Sequence, residues 1–277
     1  RGKEAAAGRL FRFRESVTKL TGTRLGAPME ANVGLGRPRR GAKPTAPAVK
    51  VWFIDLDDTV MESSGGMLHA IHLRMNDFIS RALGISWEEA GKLRTAYWER
   101  YGSTFLGLWR NHRIDPRVFL PETHDFDYSP FVRAAGNPAE DIRALRRKGV
   151  RIVLYTNGPR IYAEEVLRLL RLHDAFDAVV TSTDMRLMGD WRPKPSATML
   201  RALCARFHVR PQEAAIIDDS PANLRAAKSI GMRTFWCTGY RAKHGKLTHR
   251  RTAPGVDHVV LRLRDLIPFA AQKKEVR

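Results

Sequence analysis

Val49 to Ile54 form an almost unbroken apolar, β-rich run, and three carboxylates follow it almost at once, at Asp55, Asp57 and Asp58. A strand without apolar–polar alternation is buried on both faces. Both faces are covered only when helices lie on each side of the sheet, which calls for parallel strands joined by helical crossovers. Four further runs of the same kind follow, at Val150–Tyr155, Ala178–Thr181, Ala214–Ile217 and Arg233–Trp236. Helical patterns separate them, over Pro138–Lys148, Pro159–Leu172, Ser196–Phe207 and Pro221–Ile230. Pro near the start and Gly after the end are the expected helix punctuation, as at Pro138 and Gly149. The pattern predicts an α/β fold: a doubly wound, Rossmann-like parallel sheet with right-handed crossovers.

One interval breaks the alternation. Residues 62 to about 135 hold no buried strand but three helical patterns, Leu68–Leu83, Ser86–Tyr101 and Thr104–His112. Ser86 followed by Glu88 and Glu89 reads as a capped helix start. The expected organisation is therefore a discontinuous catalytic core, 49–61 and 136–277, with an inserted α-helical cap at 62–135. Residues 1–48 read as a basic, Gly- and Pro-rich N-terminal extension that is poorly ordered. Within it, Leu10–Leu20 could form a helix or serve as a transit segment, and Met29 is a candidate start.

The formal charge is +19, which at first suggests nucleic acid. Its distribution argues against that. Residues 1–50 carry twelve Lys or Arg against three Glu, and residues 241–277 carry ten against three acids, leaving +3 on the 190 between. Nucleic acid is thus expected only as a non-specific partner of the ends. No apolar stretch approaches membrane-spanning length. Cys204 and Cys237 are too few for a disulfide framework and lack zinc-site spacing, so a reduced, cytoplasmic setting is expected.

Four chemistry-bearing pieces lie after predicted strands or in loops before helices, where open α/β sheets bind ligands. The first is D-L-D-D-T, Asp55–Thr59; alternation puts Asp55 and Asp57 on one side of an extended backbone. One carboxylate can attack while the other handles a proton. The second is Y-T-N-G, Tyr155–Gly158, with a hydroxyl, an amide and a helix start at Pro159 that favours an anion. The third, R-P-K-P, pins Lys194 between prolines; the fourth, I-I-D-D-S-P-A-N, brings a second acid pair, Asp218 and Asp219, off a second buried strand. Two acid pairs suit a hard divalent cation with oxygen ligands. The ordinary alternatives are capping acids, a plain turn and a surface lysine.

In this order, the pieces resemble the four signature motifs of the haloacid dehalogenase superfamily, over residues 50 to about 240. The resemblance implies a Mg²⁺-dependent phosphatase working through an aspartyl-phosphate on Asp55. It implies Asp57 as general acid–base, Thr156, Asn157 and Lys194 as phosphate-binding residues, and Asp55, Asp57, Asp218 and Asp219 as metal-site residues, with Asn223 supporting them from behind. Asn223 stands where many relatives have Asp. The helical insert is similar to the superfamily's cap, with Gly65 and Gly66 at its hinge. Short stretches, among them Y-G-S-T-F-L-G-L at Tyr101–Leu108, look most like the pyrimidine 5′-nucleotidase subgroup. The implied substrate is a small phosphorylated metabolite such as a pyrimidine nucleoside monophosphate; a sugar-phosphate phosphatase or phosphomutase is the alternative. Tyr97, Trp98, Tyr101 and Phe105 read as packing within the insert, with base stacking as the other use.

Overall fold

The structure, a computed structural model, describes residues 47–243 and 252–270. The expectations for the N-terminal extension, including Leu10–Leu20 and Met29, lie outside the described residues. In chain order the elements are β1 (Val51–Ile54), α1 (Met67–Leu83), α2 (Trp87–Tyr101), α3 (Thr104–His112), α4 (Pro116–His124) and α5 (Pro138–Arg147). Then come β2 (Arg151–Tyr155), α6 (Arg160–Leu169), β3 (Ala178–Val180), β4 (Arg186–Leu187), β5 (Asp190–Trp191) and α7 (Ala197–Arg206). The chain continues through β6 (Ala214–Asp218), α8 (Pro221–Lys228), β7 (Arg233–Cys237), α9 (Gly239–Lys243) and β8 (His258–Val260).

Six parallel strands form one sheet in the order β3-β2-β1-β6-β7-β8. Each side chain of β1 is fully buried, as its composition requires. Trp52 and Ile54 face Ile142, Leu145, Tyr162 and Val166 of α5 and α6; Val51 and Phe53 face Met199, Leu200 and Leu203 of α7 and Leu224 of α8. Burying a side chain of this size contributes roughly 1.5–3 kcal/mol, so β1 is the mechanical centre of the sheet. The topology runs outward from β1 to β3 and then resumes at β6 on the other side. The carboxyl ends of β1 and β6 therefore form the switch point, where such sheets open a crevice.

Two departures from the sequence reading have simple causes. The sixth strand, β8, has only three residues and sits in a segment rich in Lys and Arg. It pairs with β7 through Phe235↔His258 and is followed by buried Leu263 and Leu266, so the basic C-terminal region is part of the core there. In the insert, α4 joins the three predicted helices. Its two prolines, Pro116 and Pro121, disguise it, although Pro116 occupies the first turn, where proline is tolerated.

The insert helices have a core of their own, built on Phe78, Ile79, Phe105, Leu108, Phe119 and Leu120. The Ser86 start is a capping box: Ser86 Oγ accepts from Glu89 N–H, and Glu89 accepts from Ser86 N–H at 2.9 Å. Trp191, from the β4–β5 hairpin, is buried in this insert core, its ring 6.0 Å from Phe105. Phe105 is thus packing. Tyr97 and Tyr101 are half-buried with rings 5.9 Å apart, and Trp98 is exposed.

His124, at the end of α4, is buried beside Tyr162, and its Nδ1 lies 2.9 Å from the Leu120 carbonyl. Burial lowers its pKa to about 4. The unfolded chain takes up that proton near pH 6.5 and the folded chain only near 4, so this histidine's contribution is complete above 6.5 and lost as pH falls toward 4. We expect His124→Phe to remove about 2–3 kcal/mol of the stability loss between pH 7.5 and 4.5. Urea unfolding of both proteins at the two pH values checks this; parallel losses would clear His124 of the effect.

Candidate active site

Register assembles the site. Ile54 pairs with Ile217 across β1 and β6 and with Leu154 across β1 and β2. The next residues, Asp55, Asp218 and Tyr155, therefore stand level at the carboxyl ends of three adjacent strands. Alternation continues the face of Val51 and Phe53, so all three project toward the α7–α8 side. Asp55 N–H donates to Ile217 O at 3.0 Å, extending the ladder to the functional residue itself.

Lys194 fills the space between the two acids. Its Nζ donates to Asp55 Oδ1 at 2.6 Å and to Asp218 Oδ2 at 2.8 Å, and it lies 5.4 Å from the centre of the Tyr155 ring. All three charged groups are buried. Burial opposes the Lys194 charge, but Asp218 and Asp55 outweigh it and hold the ammonium protonated. Burial pushes the Asp55 pKa well up, reinforced by Asp218, Asp219 and Asp57 and opposed by Lys194. Asp218 also accepts from Ser220 N–H at 2.8 Å and from the Asn223 amide at 2.9 and 3.0 Å, so both its oxygens are fixed.

Asp55, Asp218 and Asp219 each present a carboxylate oxygen within 4.8 Å of the others. Two unit like charges 4.8 Å apart repel by about 3.5 kcal/mol at an effective dielectric constant near 20. A single lysine leaves this trio net negative. An all-oxygen, anionic donor set of this kind fits a hard divalent cation such as Mg²⁺.

Asp57 stands outside the trio. It is half-buried, and its Oδ1 accepts a short hydrogen bond from the Tyr162 hydroxyl. Burial raises its pKa to about 6; Asp58 adds to the rise, while Tyr162 and Lys194 oppose it. Asp58, the third acid of the turn, has a structural task. Its Oδ1 accepts from the N–H groups of Ser63 and Ser64, both at 2.9 Å, and its backbone takes a left-handed φ of 53° that Asp tolerates.

The second and third loops interlock. Thr156 Oγ1 accepts from Gly158 N–H at 3.0 Å, which leaves its own hydrogen available to donate. The amide of Asn157, expected on phosphate, is committed elsewhere: its Oδ1 accepts from Lys194 N–H at 2.8 Å and its Nδ2 donates to Lys194 O at 2.9 Å. The side chain therefore braces the lysine loop. Asn157 Nδ2 also lies 3.5 Å from Gly102 O, on the insert turn between α2 and α3. Gly102 has φ 76°, and a Cβ there would overlap Pro195 Cδ and lie 2.8 Å from Lys194 O. Only glycine permits that approach.

Sequence reasoning missed two participants. Tyr162 follows Gly158 by four residues, one helical turn, so its side chain leans back over that glycine; the spacing was readable. The contact of Gly102 with the lysine loop joins residues 92 apart in sequence and has no local signal.

The sheet and its site define a doubly wound α/β protein with a buried lysine–carboxylate centre at the switch point. The chain belongs to the haloacid dehalogenase-like hydrolases, whose family model matches residues 49–231. It is 26% identical to Phosphate metabolism protein 8 of Saccharomyces cerevisiae over 195 residues, 67% of this chain and 60% of that protein. It is 30% identical to a phosphoglycolate phosphatase of Nitrosospira multiformis over 204 residues, 72% and 86% of the two chains. Identity to a glyceraldehyde 3-phosphate phosphatase of Pyrococcus abyssi is 26% over 205 residues, 68% and 81% of the two chains. The fold is similar to that of a phosphatase of the family from Thermococcus onnurineus, with a TM-score of 0.53 at 24% identity, covering 79% of this chain and 96% of the other. The pyrimidine nucleotidase likeness seen in short stretches has no counterpart in these names. Among the described residues, no helix is long and apolar enough to cross a membrane.

Replacing Lys194 by Met should leave Asp55 and Asp218 buried without their counter-charge. We expect a loss of about 3–5 kcal/mol at pH 7.5 without divalent metal, and a smaller loss at pH 5, because burial already raises the Asp55 pKa and favours its neutral form there. Urea unfolding measures both; a loss below about 1 kcal/mol at pH 7.5 would contradict the assignment.

Proposed function

We propose that the protein is a Mg²⁺-dependent phosphomonoesterase acting on a small phosphorylated metabolite of the sugar-phosphate or short phospho-acid kind. The observation that carries the reading is the buried Asp55–Lys194–Asp218 bridge beside Asp219. In this reading Asp55 is the nucleophile. Lys194 holds one of its oxygens, so the other attacks phosphorus, forming an aspartyl-phosphate as the ester P–O bond breaks. Asp57 gives its proton to the departing oxygen and later takes one from the water that hydrolyses the intermediate; a pKa of about 6 suits both steps. Thr156 donates to a phosphate oxygen, backbone N–H groups of the same loop assist, and Lys194 offsets the negative charge of the reacting groups. Asp55, Asp218 and Asp219, with the Asp57 backbone, would hold Mg²⁺, and Asn223 would keep Asp218 aimed. The bound cation supplies further charge neutralisation on the transferring group.

Residues 62–135 act as a cap in this reading, shielding the site and selecting the substrate. The names of the Nitrosospira and Pyrococcus relatives favour small phospho-acids and triose phosphates. A pyrimidine nucleotide is the second reading, favoured by the half-buried ring pair Tyr97–Tyr101 in the insert. The setting proposed for the enzyme is cytoplasmic.

Purified protein should hydrolyse phosphoglycolate or triose phosphates in preference to UMP and CMP. EDTA should abolish turnover and Mg²⁺ restore it. A preference for UMP or CMP selects the second reading. Asp55→Asn should lower kcat at least about 10³-fold with the fold intact; substantial Mg²⁺-dependent turnover by that variant would remove Asp55 as nucleophile.

A further inference from the structure

Tyr162 is buried, sits on α6, and donates its hydroxyl hydrogen to Asp57 Oδ1. Three contacts fix its ring. Gly158 lies behind it, where a Cβ would stand 2.6 Å from Tyr162 Cδ1. The Tyr128 ring meets it edge-on at 5.2 Å and 79°. The His124 ring, from the insert helix α4, lies 5.9 Å away at 60°. The glycine of the Y-T-N-G turn thus makes room for an aromatic ring one turn further on.

From this arrangement, and resting on the proposed role of Asp57, we infer that Tyr162 is a positioning residue that holds Asp57 Oδ1 and so aims the second carboxyl oxygen at the leaving group. The phenol is a hydrogen donor here. Oδ1 is occupied, and the proton that leaves with the ester oxygen travels from Oδ2 as the P–O bond breaks. A carboxyl group anchored at one oxygen has lost a rotation that proton transfer would otherwise have to freeze.

The consequence is selective. An alkoxide leaving group needs a proton in the transition state, whereas p-nitrophenolate departs without one. Tyr162→Phe should lower kcat/KM for glycerol 1-phosphate by about 10- to 100-fold, and for p-nitrophenyl phosphate by less than about 3-fold. Circular dichroism verifies the fold. Asp57→Asn serves as the reference and should show a larger selective loss. If Asp57→Asn is not selective, the role given to Asp57 fails, and the inference with it. If Asp57→Asn is selective while Tyr162→Phe depresses both substrates equally, or neither, Tyr162 has no positioning role and the reading of Asp57 stands.

Discussion

The Lys194 ammonium, clamped between Asp55 and Asp218, is the interaction on which the site depends. Three strand ends converge at the switch point, and two of them deliver buried acids. Without a cation between them the acids would take up protons or force the strands apart, because isolated charge is costly in a dry interior. The lysine does not come from the sheet. It arrives on a loop between the β4–β5 hairpin and α7, held at its backbone by both ends of one amide, Asn157. The second loop is thus coupled to the third through the Asn157 side chain.

The division of labour among the acids follows from their surroundings. Asp218 accepts from Lys194, Ser220 and Asn223, which fixes the orientation of its carboxylate. Asp58 is tied to the backbone of Ser63 and Ser64 and shapes the turn. Asp57 is more open, and one of its oxygens accepts from the Tyr162 phenol. Three aspartates thus acquire different properties from their partners, as expected where environment sets the behaviour of a carboxyl group.

Much of this was legible in the sequence because it is local. Buried parallel strands announce themselves by unbroken apolar runs, and the residues after them announce the site. The capping box at Ser86 and the acid pairs after β1 and β6 were readable for the same reason. What escaped is non-local or disguised. Strand β8 is short and surrounded by basic residues, α4 carries two prolines, and Trp191 looks like a core residue but packs into the insert. The side chain of Asn157 offered a donor and an acceptor that would suit phosphate or peptide equally. The contact it makes, with the Lys194 backbone 37 residues later, has no local signal.

The insert meets the catalytic loops through contacts of unequal strength, and the inequality has a consequence. Asn157 binds the lysine backbone at 2.8 and 2.9 Å but reaches Gly102 O only at 3.5 Å. The first pair lies within the core and is of ordinary hydrogen-bond length; the third contact is at the edge of the range. Movement of the α2–α3 turn away from the site would therefore cost little at Asn157 and would leave Lys194 in place. Trp191 opposes such a movement, because a core residue is buried in the insert's own hydrophobic cluster. Any displacement must then carry the hairpin along or pivot about it, while the strand ends that hold Asp55 and Asp218 stay fixed by the sheet.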